Sequence, residues 1–182
     1  YGVEAIFLCD ESLSPAMVHR LTDTFAERDF FMRYTSMARV EKAFIPLVGP
    51  AAERGLRSLS FGFESACPRV LGEMKKGFTL DVAEELLDAC QAAGVRVQFF
   101  TMFGFPSETP AEANETIDYL VNNRDRIWGI SPAAWMMTPG SEVWTDPDAF
   151  GVAPKPGEDM TVQSSSFLLK KGLSRAEAVQ YL

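Results

Sequence analysis

Two short stretches of the chain carry the residue types best suited to binding chemistry. Residues 56–65 and 95–109 are each an apolar run that ends in a small residue followed by a carboxylate. Gly62 and Gly104 have no side chain, so a ligand can come close to the backbone there, and Glu64 and Glu108 supply charge beside them. This pattern predicts two strand ends that present polar groups to a ligand. The alternative is a pair of ordinary strand-to-helix turns with solvated acids.

An alternation of strands and helices is predicted to position these groups. Buried strands are expected at residues 5–9, 30–36, 56–65, 95–103 and 130–137. Helices are expected after Ser14, over residues 51–54, after Thr79 and after Thr109, with a turn-like piece over residues 68–74. Such an alternation is typical of repeated βα units with parallel strands.

Polar residues follow every predicted strand, which favours a barrel over an open doubly wound sheet. These residues are Asp10, Glu11, Arg39, Glu41, Glu64, Ser65, Glu108, Thr109 and Ser141. No glycine-rich dinucleotide or phosphate loop follows any strand, so a nucleotide-binding sheet is disfavoured. The expected fold class is α/β, a partial (β/α) TIM-like barrel over residues 1–152. Residues 153–182 are expected to form a partly irregular extension that ends in a helix begun by Ser174.

Composition limits the classes of partner. The 182 residues, 47% of them hydrophobic, suffice for one core. A formal charge of −8 argues against nucleic acid or an anionic membrane surface as the main partner, and no apolar run is long enough to span a bilayer. The three cysteines are Cys9, Cys67 and Cys90, which match neither a disulfide framework nor a paired metal-ligand spacing. This cysteine usage favours a reducing, cytoplasmic location, and the single histidine, His19, is interpreted as a surface or packing residue.

Several segments together resemble a known family. They are Gly62-Phe63-Glu64-Ser65, Val70-Leu71, Met74-Lys75-Lys76-Gly77, Ala93-Gly94-Val95 and Met102-Phe103-Gly104-Phe105-Pro106-Ser107-Glu108-Thr109, with Pro139-Gly140-Ser141 further on. In this order and spacing they resemble the later strands of the radical S-adenosylmethionine (SAM) enzyme core. The resemblance covers about residues 5–152 and is strongest to the group whose members often carry an upstream cobalamin-binding domain.

The resemblance implies a barrel that binds SAM beside a four-iron four-sulfur (4Fe-4S) cluster. In that family the reduced cluster cleaves SAM to a 5′-deoxyadenosyl radical, which removes a hydrogen atom from a small-molecule substrate. The parent protein is therefore expected to be an iron–sulfur oxidoreductase or methyltransferase that receives electrons from a reductant protein. The resemblance leaves open whether cobalamin is used, and the sequence does not name the substrate.

The same resemblance assigns cofactor-binding residues. They are Arg39, Gly62, Glu64, Ser65, Gly104, Phe105 and Glu108. By analogy Glu64 would hold the ribose hydroxyls, Arg39 would face the methionine carboxylate, and the backbone near Gly104 and Phe105 would meet the adenine. Glu108 would mainly order its turn, and Asp10 and Glu11 would line the mouth of the barrel.

Two positions depart from the family pattern. The CxxxCxxC loop that holds the cluster is absent, and the three scattered cysteines cannot replace it because a cluster needs thiolates that converge from one loop. The chain is therefore expected to be a fragment that begins after the first barrel strand and its loop and is inactive alone. The edge of its own first strand would be open to edge-strand dimerisation. Ser107 stands where glycine is commoner in the family, so this turn is expected to differ in detail.

Two other functions remain compatible with the residues. One is a different (β/α)-barrel enzyme, lyase-like or aldolase-like, which would use Glu64, Glu108 and a buried lysine, although Lys75 and Lys76 look exposed. The other is a non-catalytic barrel scaffold that binds a protein partner.

Overall fold

Five strands form one sheet in which the spatial order is the chain order. In this computed structural model, which describes residues 2–9, 12–154 and 167–182, the strands are β1 (Ala5–Leu8), β2 (Arg33–Ala38), β3 (Leu56–Glu64), β4 (Arg96–Phe103) and β5 (Gly129–Ala134). β1 pairs in parallel with β2, and β2 pairs in parallel with β3. Asp10 and Glu11, predicted to line a barrel mouth, lie outside the described residues.

Seven α-helices lie along the described chain. They are α1 (Pro15–Glu27), α2 (Ile45–Glu53), α3 (Pro68–Glu73), α4 (Leu80–Ala92), α5 (Pro110–Asn122), α6 (Glu142–Thr145) and α7 (Arg175–Ala178). Short 3-10 helices cover Lys42–Phe44 and Val179–Tyr181, and a two-stranded antiparallel ribbon pairs β6 (Val152–Pro154) with β7 (Phe167–Leu169). Helices thus separate the successive strands of the main sheet, which confirms the predicted α/β class. Within the described residues the sheet is not closed, since β1 and β5 are its outer strands.

The chain divides into two compact units. The first comprises Tyr1–Phe63, Lys75–Phe100 and Leu120–Ser131, and its core contains the aromatic side chains of Phe44, Phe61, Phe63 and Phe99. Phe63 stacks on Phe99 with ring centroids 4.5 Å apart and ring planes within 9° of parallel, a contact that adds to the stabilisation from burial.

The second unit comprises Glu64–Met74, Thr101–Tyr119 and Pro132–Leu182. One of its buried clusters is built around Phe105, Trp135 and Met137. A second cluster joins Phe103 to Leu173 and Ala178 near the C-terminus.

Local signals placed several helix starts correctly. Ser14 caps α1, with its hydroxyl accepting the N–H of Met17 at 3.3 Å and Pro15 at the first helical position. Thr109 and Ser174 begin the helices α5 and α7 through the predicted capping boxes, in which a glutamate three residues on reaches back to the cap. His19 is exposed and pairs with Asp23 at 2.8 Å, as expected of a surface residue.

Three element predictions were wrong in extent or type. The helix expected at residues 51–54 begins at Ile45 and contains Pro50, because burial of Val48, Ala51 and Ala52 outweighs the Gly49-Pro50 break. The turn-like piece after residue 67 is the short helix α3, which Pro68 starts. The last strand ends at Ala134 and tolerates Pro132 because β5 is an outer strand of the sheet.

None of the helices in the described ranges is long and apolar enough to cross a membrane.

Candidate functional site

The turn that joins β4 to α5 is held from inside by a buried carboxyl group. Glu108 is 0% exposed, and its Oε2 accepts the backbone N–H of Gly104 at 2.5 Å. The N–H of Glu108 donates to the carbonyl of Phe105 at 2.9 Å. The turn needs left-handed backbone at Gly104 (φ 80°) and at Ser107 (φ 71°), a region that residues with a Cβ rarely adopt. Glu108 therefore bonds to the backbone of this turn from inside, and its predicted role in ordering the turn stays a prediction.

Burial also changes the acidity of Glu108. Desolvation raises its pKa from 4.5 to about 7, although hydrogen bonds from the backbone of Gly104 and Phe105 act in the opposite direction. Its second oxygen, Oε1, is buried without a hydrogen-bond partner. An uncharged, protonated carboxyl group therefore suits this position better than a carboxylate does.

The space beside Gly104 is filled by the protein itself. A Cβ at Gly104 would lie 2.6 Å from the Cβ of Ala178 in α7. The glycine thus allows close packing of α7, whereas the sequence had suggested only a ligand as the neighbour. The Phe105 side chain is likewise buried, and its ring meets that of Trp135 edge-on with ring centroids 6.0 Å apart.

The end of β3 presents the second predicted carboxylate. Glu64 is partly exposed and has φ 65°, so a non-glycine residue with left-handed backbone turns the chain at the strand end. Ser65 follows and is fully buried. Its hydroxyl accepts the N–H of Cys67 at 3.1 Å and lies 3.1 Å from the hydroxyl of Thr116, which accepts the N–H of Ala66 at 3.0 Å. Ser65 therefore anchors the segment after Glu64 to α5.

Arg69 was not singled out from the sequence, yet it joins α3 to the β4–α5 turn. Its Nε and Nη2 donate to the two carboxylate oxygens of Glu112 at 2.5 and 2.8 Å. Nη1 and Nη2 donate to the hydroxyl and to the carbonyl of Ser107, both at 3.0 Å. Arg69 is the main cause that lowers the pKa of Glu112, to about 2. An exposed arginine in a short helix carries no local signal for a contact of this kind.

Arg39 and Gly62 belong to the first unit. Arg39 is exposed at the residue that follows β2, as the strand-end pattern predicted. Gly62 shares the less buried face of β3 with Ser60, because strand side chains alternate between faces. Ser60 donates to the Gln98 side chain on β4 at 3.1 Å, so polar groups occupy this face of the sheet.

The residues present do not fit an iron–sulfur cluster. Cys9 is exposed, whereas Cys67 and Cys90 are buried on different elements. Burial raises the pKa of Cys90 to about 12, which opposes the thiolate that iron requires. Across the described ranges, no three histidine, cysteine or acidic side chains converge as metal ligands.

Comparisons with known proteins give one curated relative and several solved structures; no protein-family model matches. The chain is 25% identical over 121 residues to an uncharacterised methyltransferase of Pyrococcus horikoshii, a match that covers 65% of this chain and 26% of the relative.

Two radical SAM enzymes are among the solved structures that share the fold. The radical SAM methyltransferase TsrM of Kitasatospora setae, solved with cobalamin and a 4Fe-4S cluster bound, matches 97% of this chain and 37% of its own, with a TM-score of 0.66 and 18% identity. The radical SAM enzyme coproporphyrinogen III oxidase (HemN) of Escherichia coli matches 92% of this chain and 36% of its own, with a TM-score of 0.57 and 12% identity. The chain thus spans little more than a third of either enzyme.

Proposed function

We propose that this chain, which has the fold of the radical SAM superfamily, is the SAM-binding part of a radical SAM oxidoreductase or methyltransferase. The predicted radical SAM fold is confirmed, and the solved structures that share it include a cobalamin-bound enzyme. The observation that carries the proposal is the position of Glu64 within that fold, a carboxylate at the carboxyl end of a parallel strand. Ligands of parallel α/β folds bind at that end.

Glu64 is proposed to bind the ribose of SAM. A carboxylate can accept hydrogen bonds from both hydroxyls of a vicinal diol, one on each oxygen. The left-handed backbone at Glu64 supports the role, because strained positions of this kind cluster at ligand sites. Gly62, which has no side chain, would let the ligand approach the same strand closely.

Arg39 is proposed to bind the methionine carboxylate of SAM. It is exposed directly after β2, and its guanidinium can form two parallel hydrogen bonds with a carboxylate.

Gly104 and Phe105 are proposed to lie beside the adenine, with the carbonyl oxygen of Gly104 as the contacting atom, since that of Phe105 already accepts the N–H of Glu108. The N–H of Gly104 is already donated to Glu108, and the exocyclic amino group of adenine is itself a donor that needs an acceptor. Glu108 and Ser65 would act as positioning residues, since both are buried and bonded within the protein.

The cluster ligands are proposed to come from the parent protein outside these 182 residues, because the cysteines present do not fit the cluster. SAM bound beside such a cluster would supply a 5′-deoxyadenosyl radical for a small-molecule substrate, with electrons from a reductant protein. Cobalamin would belong to the parent as well, as in TsrM. Alone, the chain would then be inactive.

The test uses the parent protein reconstituted with iron and sulfide without oxygen. Visible and electron paramagnetic resonance spectra are recorded with and without SAM for the wild type, Glu64→Gln and the control Glu115→Gln, an exposed glutamate of α5. We expect a cluster in all three proteins and a SAM-dependent spectral change that is weakened about tenfold in apparent affinity only in Glu64→Gln, the loss of one charge-assisted interaction.

Failure of the wild type to take up a cluster would overturn the radical SAM activity. A cluster whose SAM response is equal in Glu64→Gln and wild type would retain the activity and refute the role of Glu64.

A further inference from the structure

Ser107 holds an unfavourable backbone conformation in the β4–α5 turn. Its φ of 71° lies in the left-handed region, where the Cβ of any residue except glycine is strained. Within the described residues only Asp29, Glu64 and Lys75 share this condition. Some interaction must therefore offset the strain at Ser107.

One guanidinium contacts Ser107 through two different groups. Arg69 donates to the Ser107 hydroxyl and to the Ser107 carbonyl, both at 3.0 Å. A hydrogen bond to the side chain alone could form in many backbone conformations. Two bonds from one rigid, planar group to the hydroxyl and the carbonyl of the same residue restrict its ψ and χ1 angles, and they fix its orientation in the turn if the guanidinium is itself held in place.

The guanidinium is itself immobilised on α5. Glu112 accepts from both Nε and Nη2 of Arg69, and its Oε2 also accepts the N–H and the hydroxyl of Thr109. The Glu112 side chain is 14% exposed and that of Arg69 is 43% exposed, so the bidentate geometry of the pair holds the guanidinium in place as much as its charge does. Arg69 thus ties Ser107 to the first turn of α5.

We propose that Arg69 is a positioning residue that holds the turn at residues 104–109 in its binding conformation and allows serine to occupy position 107. The proposal rests on the proposed function, in which this turn lies beside the adenine of SAM. It explains why a serine can stand where a glycine would need no support. It also predicts that Arg69 becomes dispensable when residue 107 is glycine.

Lysine is the informative replacement at position 69. Its ammonium can keep one contact with Glu112, but it cannot make bidentate bonds to Glu112 and two bonds to Ser107 at once. Arg69→Lys therefore retains the positive charge and removes the set of hydrogen bonds that joins Ser107 to Glu112. Arg124→Lys is the matched control, since Arg124 is exposed and its Nη1 donates to the Val121 carbonyl, three residues earlier, at 3.2 Å.

The first measurement needs no SAM. Amide hydrogen exchange of Gly104 and Glu108 is followed in the wild type, Arg69→Lys, Ser107→Gly, the double variant and Arg124→Lys. We expect exchange about tenfold faster in Arg69→Lys, the factor that corresponds to about 1.4 kcal/mol, and near wild-type exchange in the other three proteins. Equal exchange in Arg69→Lys and in the double variant would overturn the proposal, because the serine would then not be the residue that Arg69 supports.

The second measurement is SAM affinity in the reconstituted parent protein. A roughly tenfold weaker affinity in Arg69→Lys that Ser107→Gly restores would support the positioning role. Unchanged affinity together with faster exchange would show that the turn does not bind SAM, and would overturn that role. If the wild type binds no SAM, the proposed function fails, and the hydrogen exchange decides by itself whether Arg69 holds Ser107.

Discussion

At the scale of single residues, Glu108 and Glu112 show how their surroundings give two nearby glutamates very different pKa values. Glu108 is buried against backbone N–H groups and has a pKa raised to about 7. Glu112, four residues on, has a pKa lowered to about 2 by the Arg69 guanidinium. Both groups help to shape the same turn, one from inside with its proton bound more tightly than usual and one from outside as an ion.

The titration of Glu108 gives a first prediction. Its folded-state pKa lies above its unfolded value, so the folded protein binds the extra proton and stability is lost as pH rises from about 4.5 through about 7. The loss should be at most roughly 3 kcal/mol. Urea unfolding at pH 5 and pH 8 should show this loss in the wild type and a smaller one in Glu108→Gln, which keeps the shape and cannot ionise. An equal loss of stability between pH 5 and pH 8 in the two proteins would contradict the assignment of this titration to Glu108.

Thr116 gives a second prediction at this scale. Thr116→Val keeps the shape and leaves the buried Ser65 hydroxyl and the Ala66 N–H short of a partner. The expected loss is about 1 to 3 kcal/mol in the free energy of unfolding. Thr79→Val, at an exposed cap whose side chain makes no capping bond, should change it by less than about 0.5 kcal/mol. Equal effects of the two variants would mean that the buried hydroxyl pair contributes nothing.

At the scale of elements, the C-terminal residues pack on the β4–α5 turn. The N–H of Leu173 donates to the Glu108 carbonyl at 2.8 Å, and Tyr181 stacks on Phe103 with centroids 5.1 Å apart. Leu173 and Ala178 are buried, in a cluster that includes Phe103. The segment at residues 172–182 therefore contributes to the core of the second unit. The domain boundary predicted at residue 152 stays a prediction.

Gly172 allows this packing to be tested. Its φ is 95°, and a Cβ there would lie 2.8 Å from the Glu108 carbonyl oxygen and 2.9 Å from backbone atoms of Ser107. Gly172→Ala should destabilise the protein by several kcal/mol and speed hydrogen exchange of the Leu173 amide. The new Cβ would clash with backbone atoms, which cannot move aside as the end of a flexible side chain could.

Gly140→Ala is the control for the backbone strain alone, since φ is 82° and no atom lies within 4 Å of its Cβ position. Gly140→Ala should lower the free energy of unfolding by about 1 to 2 kcal/mol and leave the Leu173 amide protected from hydrogen exchange. If the two variants behaved alike, the close contact between the C-terminal segment and the turn would not exist in solution.

At the scale of the whole molecule, the three cysteines do not form a cluster site. The 182-residue chain reconstituted with iron and sulfide should therefore show no 4Fe-4S absorption and no SAM cleavage, and Cys9→Ser should give the same spectrum. Cluster absorption that disappears in Cys9→Ser would contradict this, and would point to ligands shared between copies of the chain. The edge-strand dimer of β1 also stays a prediction, which the oligomeric state of the same sample would check.

Much of the fold followed from the sequence, because its signals are local. Alternating or continuous apolar runs predicted all five strands of the main sheet within a few residues, and Ser14, Thr109 and Ser174 marked helix starts through contacts with residues three positions away. The full length of helix α2 was not predicted, because Gly49-Pro50 is a local break that tertiary packing overrides.

The sequence by itself determined the βα alternation, the two glycine–carboxylate turns and the lack of a three-cysteine loop, since each depends on residue types at short spacing. Only the tertiary structure decided how those turns are supported. Arg69 meets Ser107 across 38 residues, and Ser65 meets Thr116 across 51. The burial that raises the pKa of Glu108 likewise depends on segments distant in the chain. Contacts at such separations arise from how the strands and helices pack, which no periodic or short-range pattern encodes.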